Sequence, residues 1–131
     1  VGQRDDKSAP IPRKAGASLT KLIVVRHGET VWNAEGRIQG QLDVALNENG
    51  QLQARQLASA FEKLGIAANV DAIVSSDLAR ARQTADEIAR VCTHAQRSTD
   101  MGLREINFGD LQGTLASEKP ALKEAVYGAW K

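Results

Sequence analysis

Leu19-Thr20-Lys21-Leu22-Ile23-Val24-Val25-Arg26-His27-Gly28 is the stretch whose reading decides the fold. Large apolar residues stand side by side at positions 22–25, the pattern of a short strand buried on both faces of a mostly parallel sheet. The strand is expected over residues 19–26, with Gly28 ending it. Ligands of parallel sheets bind where strands end, and this end carries a guanidinium and an imidazole in succession.

Downstream, residues 28–47 are rich in Gly, Asn, Asp and Gln without a helical period, which predicts a long structured loop of the functional kind. Asn47 is a good N-cap, Gly50 lies in the turn that follows, and Ala54, Leu57, Ala58, Phe61 and Leu64 recur at helical spacing before the stop at Gly65. Residues 70–75, around Ala72-Ile73-Val74, read as a second short buried strand. Leu78, Ala81, Ala85, Ile88 and Cys92 then mark a second helix, with Ser76 or Asp77 placed to cap it. A short strand and a loop at Gly109 and Gly113 are expected within residues 96–113, and a helix interrupted early by Pro120 over residues 116–130. Strand, helix, strand, helix in this order implies an α/β fold, a parallel or mostly parallel sheet with helices on both faces.

Composition sets the limits. A chain of 131 residues with 42% apolar and 25% charged residues suits one globular domain rather than two. Its longest large-apolar run falls far short of the roughly 20 residues of a membrane span, and a net charge of +1 gives no long-range field for nucleic acid. Neither a membrane nor a nucleic-acid partner is therefore expected. Cys92, the only cysteine, excludes an internal disulfide and the clustered zinc patterns, reads as a small buried apolar side chain, and fits a reducing, cytoplasmic setting, with an organellar one left open. Residues 1–20 begin at Val1 and hold Gly2, Pro10, Pro12 and Gly16 without apolar periodicity, so they read as a flexible lead to a domain over residues 21–131.

Arg26 and His27 can be read without further context. A guanidinium matches two phosphate oxygens at once, an imidazole of ordinary pKa is substantially neutral near pH 7 and able to attack phosphorus, and Gly28 lets backbone approach a ligand. The plainer alternative is a histidine that caps the strand or bonds within the core.

The string Arg26-His27-Gly28-Glu29-Thr30-Val31-Trp32-Asn33, followed by Arg37-Ile38-Gln39-Gly40, resembles the signature of the histidine phosphatase superfamily, the phosphoglycerate mutase-like family. Residues 75–85, with Arg80-Ala81-Arg82-Gln83-Thr84-Ala85, resemble its second motif, and Leu103-Arg104-Glu105-Ile106-Asn107-Phe108-Gly109 with Leu111-Gln112-Gly113 its third. The resemblance implies that His27 is the nucleophile, that Arg26 and Arg80 hold the phosphate, and that Glu105 is the proton donor, a role worth about 10² to 10⁴ in rate. It adds Asn33, Gln39 and Gly40 to the phosphate-binding set. Arg80 is expected in the first turn of its helix, where amides also favour an anion. Trp32 reads as packing and Arg82 as a solvated face residue, and the plainer alternative for Glu105, an exposed carboxylate paired with Arg104, is disfavoured by the motif. No cofactor and no metal is called for, since the arginines supply the electrostatics.

The family also uses a second histidine, followed by glycine, near the C-terminus. The one other histidine here, His94 in Cys92-Thr93-His94-Ala95, fits neither in order nor in context and reads as a surface residue. The resemblance thus covers the N-terminal part of the family domain, and a chain ending there is expected to expose sheet edge and apolar helix faces, which invites instability or association, a homo-oligomer being one outcome. As a whole polypeptide it is expected to catalyse weakly or not at all, and as a fragment to come from an active parent. The implied reaction is hydrolysis of a small phosphorylated metabolite through a phosphohistidine. The rivals are mutase-type phosphoryl transfer between phosphoglycerates and a non-catalytic phosphate-binding or interaction protein.

Overall fold

A computed structural model describes residues 19–118. Their order is α1 (Val31–Glu35), α2 (Glu48–Lys63), a 3-10 turn at Ala67–Asn69, β1 (Ala72–Ser75), α3 (Ala79–Val91) and β2 (Gln96–Thr99), then 3-10 turns at Met101–Leu103 and Gly109–Leu111. β1 and β2 run parallel, with Ala72 opposite Gln96 and Ser75 opposite Thr99. A parallel pair needs a crossover connection, and α3 is that crossover. The α/β fold with a parallel sheet is the one the sequence predicts.

Helix α2 begins where expected, because the Asn47 side chain accepts from the Gly50 N–H at 2.8 Å and satisfies one of the amides that have no partner inside the helix. It ends before Gly65, whose φ of +69° is the left-handed conformation that glycine adopts without strain. Phe61 of α2 and Ile88 of α3 join Ala67 and Cys92 in the core, with Val25, Leu57, Val70 and Ile73 packed around them. Ile73 thus turns β1 toward the two helices, while Val74 on its other side is 44% exposed. Burial pushes the Cys92 thiol up, in keeping with an apolar role.

Other expectations need correction. The segment at 19–26 is not a strand: among the described residues no other segment pairs with it, and Leu22 and Val24 are 85% and 84% exposed. An apolar run becomes a buried strand only if something supplies its ladder and covers its faces, and here only Val25 reaches the core. The loop at 28–47 contains α1, too short to show a period. Thr30 opens it with a capping box, its side chain accepting from the Asn33 N–H while the Asn33 side chain accepts from the Thr30 N–H.

Neither Ser76 nor Asp77 is the N-cap of α3. That position is Leu78, and Ser76 Oγ accepts from the Leu78 N–H at 3.2 Å while Asp43 Oδ1, from a distant loop, accepts from the Ala79 N–H at 2.7 Å. The strand and the glycine loop within 96–113 are present, with positive φ at Gly109 and Gly113. The flexible lead, apart from residues 19 and 20, and nearly all of the helix expected at 116–130 lie outside the described residues. Among those described, no helix is long and apolar enough to cross a membrane.

Candidate active site

Because β1 and β2 are parallel and in register, their carboxyl ends lie side by side, and the loops that follow them share one end of the sheet. The first loop leads to Asp77 and Arg80, the second to Arg104 and Glu105. The Arg26–Gly28 segment reaches the same place through side-chain locks. Its Gly28 N–H donates to Thr84 Oγ1 at 3.0 Å, and that hydroxyl donates to the Arg80 carbonyl at 2.9 Å, so the loop is bolted to α3 one turn from Arg80. On its other side it lies against α2: a Cβ on Gly28 would fall 2.4 Å from the Gly50 carbonyl oxygen, and one on Gly50 would fall 2.0 Å from the Glu29 carbonyl oxygen. Two glycines facing each other permit that approach, and a side chain at either position would close it.

Glu29 completes the seam. Its backbone N–H donates to Gln53 Oε1 at 2.9 Å, and its carboxylate accepts from Asn47 Nδ2 at 3.0 Å.

His27 is half-buried, and its Nδ1 lies 2.7 Å from the Gly28 carbonyl oxygen. A carbonyl can only accept, so Nδ1 carries the proton and the Nε2 lone pair is left for chemistry. Burial pushes the imidazole below its ordinary pKa; the Gly28 carbonyl pulls it back, Arg80 and Arg26 push it further down, and Glu105 draws it up. The fields of Arg26, Arg80 and Glu105 therefore converge on one ring. Three residues picked from separate motifs are brought together.

Arg80 is 3% exposed, and its guanidinium donates to the carbonyls of Leu42 at 2.7 Å and Gly40 at 2.5 Å. Burial lowers its pKa while Glu105 and Asp43 raise it, and a guanidinium stays charged throughout. Two carbonyls fix its plane without cancelling its charge. The expected contribution of helix amides is smaller than the sequence suggests, because Asp43 already takes the Ala79 N–H.

Gly40 serves by its carbonyl as well as by its φ of +55°. A Cβ there would meet Gln112 Oε1 at 2.2 Å. That oxygen accepts from the Gln41 N–H at 2.8 Å and the Phe108 N–H at 3.3 Å, and Ile38 pairs with the 113–114 backbone. The first and third motifs are thus zipped together.

Asn33 and Gln39 sit around Thr30, which is fully buried: its hydroxyl contacts both Asn33 Oδ1, at 3.1 Å, and Gln39 Oε1. Tying down the amide oxygens turns the two NH₂ groups away from Thr30. Thr30, Gln83, Thr84 and Gln112 are the positions that sequence reasoning missed as parts of this site, although all lie inside the quoted motifs. Gln83 Oε1 accepts from the Leu46 N–H at 2.8 Å.

Glu105 is exposed, its carboxylate accepting from the Ile106 N–H at 2.9 Å. It is not paired with Arg104, which binds Asp77 instead. Trp32 packs at Gly113, where a Cβ would lie 3.4 Å from its ring. Arg82 is exposed, and so is His94, in the turn beyond the far end of α3, a helix about 20 Å long. Among the described residues no histidine joins His27, and no cluster of His, Cys, Asp and Glu is suited to hold a metal ion.

A parallel α/β fold with its polar loops gathered at the strands' carboxyl ends, around an arginine-flanked histidine, defines a narrow class of domain. The chain belongs to the histidine phosphatase superfamily (branch 1), whose family model matches residues 22–131. It is 44% identical over 110 residues to phosphoglycerate mutase-like protein 4 of Arabidopsis thaliana, covering 84% of this chain and 46% of that protein. Metal-independent phosphoserine phosphatase of the same plant is 41% identical over 117 residues, 89% of this chain and 48% of that one. The structure of a mycobacterial glucosyl-3-phosphoglycerate phosphatase in complex with VO3 matches with a TM-score of 0.67 at 36% identity, covering 79% of this chain and 49% of that one. The chain spans about half the length of the relatives it matches.

Proposed function

We propose that this domain hydrolyses a phosphate monoester through a phosphohistidine on His27. The observation that carries the reading is the fixed tautomer: with Nδ1–H on the Gly28 carbonyl, Nε2 has its lone pair free in a ring kept toward neutrality by burial. Nε2 attacks phosphorus, the ester P–O bond breaks, and Glu105 gives its proton to the departing oxygen. Arg26 and Arg80 balance the charge on the remaining phosphoryl oxygens, a task for preorganised donors, and Arg80 is held for it by Gly40 and Leu42. The Asn33 and Gln39 amides add donors. Water then attacks the phosphohistidine, Glu105 takes its proton, and the P–N bond breaks.

A small phosphorylated metabolite such as phosphoserine or a phosphoglycerate is the proposed substrate, because relatives carry those compounds in their names. The test is to incubate the chain with ³²P-labelled phosphoserine and look for acid-labile label on protein. Label in the wild type and none in His27→Ala supports the reading; no label and no released phosphate overturns it. Similarity to a mutase-like protein favours a second reading, phosphoryl transfer between phosphoglycerates. Transfer of label between phosphoglycerates without net release would mark it.

A further inference from the structure

The sequence offers Arg104 as a mate for its neighbour Glu105, yet the guanidinium turns away and takes both oxygens of Asp77, Nε to Oδ1 at 2.7 Å and Nη2 to Oδ2 at 2.5 Å. This two-pronged bond constrains orientation as well as distance. Asp77 lies in the turn between β1 and α3, three positions before Arg80, and Arg104 immediately precedes Glu105. One ion pair therefore ties the turn that carries Arg80 to the loop that carries Glu105. The side chains of the pair are 27% and 30% exposed, so water only partly screens it.

Glu105 needs such an anchor. Its carboxylate bonds to the next residue's N–H, a local contact that does nothing to fix the carboxyl relative to His27. What sets that relation is how its backbone is held: through Arg104 on one side, and through Gln41 Nε2, which donates to the Glu105 carbonyl at 3.1 Å. Arg104 also holds the Asp77 carboxyl below the usual carboxylate range, so the pair is ionised near neutral pH.

We propose that the Arg104–Asp77 pair is a positioning device for Glu105, setting the reach of the acid to the leaving oxygen. The inference rests on the phosphohistidine reading and deepens it. In the step that forms the phosphohistidine, it requires the pair to matter only when the leaving group needs a proton, whereas a pair that merely holds the fold would matter in that step for every substrate alike.

The experiment compares the 131-residue chain with its Arg104→Met, Arg104→Lys, Asp77→Asn and Glu105→Gln variants on phosphoserine, whose alkoxide must be protonated, and p-nitrophenyl phosphate, whose phenolate leaves unaided. Arg104→Met should lower the single-turnover rate of phosphohistidine formation from phosphoserine by about 10- to 100-fold, part of the roughly 10² to 10⁴ of general acid catalysis, with the half-saturating concentration within about threefold. Its single-turnover rate of p-nitrophenolate release should change by less than about threefold on the same ground, because the action of Glu105 on water comes only after that step. Arg104→Lys, with a point charge in place of a planar fork, should fall between. In a Glu105→Gln background, Arg104→Met should add nothing, because it acts through the missing acid.

Should Arg104→Met unfold by circular dichroism, Asp77→Asn, which keeps the shape and removes the charge, must show the same split between substrates. Equal losses on both substrates, or additive losses with Glu105→Gln, overturn the inference while leaving the reading standing. A wild-type chain that neither traps label nor releases phosphate overturns both.

Discussion

Protonation of His27 is opposed first by burial, then by the guanidiniums of Arg80 and Arg26, against the pull of the Gly28 carbonyl and of Glu105. The net folded pKa lies below the ordinary 6.5, so as pH falls the unfolded chain binds this proton before the folded one does. Its contribution to stability is therefore complete above about pH 6.5 and is lost as pH drops through that value toward the folded pKa. Urea midpoints measured between pH 7 and pH 5 should fall more for wild type than for His27→Asn. An NMR titration of the ring should have its midpoint below 6.5, moving up in Arg26→Gln, an exposed position whose charge can be removed without disturbing the core. A ring midpoint above 6.5 would refute the account. Gly28 gives a steric test at the same scale. Its added Cβ would sit 2.4 Å from a backbone oxygen of α2 that cannot rotate away, so Gly28→Ala should cost about 1–3 kcal/mol, the usual penalty for overpacking, read from chemical denaturation.

Elements are held to one another by single side chains, and α3 shows it best. Thr84 accepts from the Gly28 N–H and donates to the Arg80 carbonyl, so Thr84→Val preserves shape while leaving a buried N–H without an acceptor. The expected cost is about 1–3 kcal/mol, together with faster amide exchange at Gly28; unchanged exchange there would show that the hydroxyl is not the bolt. Helices α2 and α3 were legible in the sequence because each buries one face over several turns, and periodicity records such a face directly. The Asn47 cap was legible for the same local reason. Helix α1 was not, since Val31–Glu35 is too short for a period, although Thr30 and Asn33 at capping-box spacing were a signal. The cap of α3 was beyond sequence reasoning, because Asp43 comes from a distant loop. The segment at 22–25 failed for the opposite reason: its composition is right for a buried strand, but burial depends on neighbours that a local pattern does not contain. In the candidate site, residue types in motif order identified which groups meet; the partners that aim them, Thr30, Gln112 and the carbonyls of Gly40 and Leu42, required the chain's return path.

On the scale of the whole molecule, binding and turnover are separable. Arg80, the loop at residues 39–42, Gln112 and the Glu105 loop are connected through hydrogen bonds among the described residues, so the anion cradle proposed at Arg26 and Arg80 has an internal scaffold, even though the chain spans about half the length of its relatives. A ligand that binds only the folded chain stabilises it by RT ln(1 + [L]/Kd), about 2.7 kcal/mol at a hundredfold excess over Kd. A chain of 131 residues gains roughly 4 °C in Tm per kcal/mol. Inorganic phosphate or vanadate should therefore raise Tm in a saturable manner, by about 10 °C or more at that excess. Chloride at matched ionic strength should not, because bulk screening is common to both salts whereas a tetrahedral oxyanion alone fits a guanidinium fork. Arg26→Gln should weaken the shift and leave the unliganded Tm nearly unchanged, since that side chain is exposed; Arg80→Met should abolish the shift and also lower the baseline, since a buried guanidinium bridges two carbonyls. Equal shifts with chloride and phosphate would mean that no oxyanion site exists in this chain, whereas a phosphate-specific shift without trapped label on His27 would assign the chain binding without catalysis.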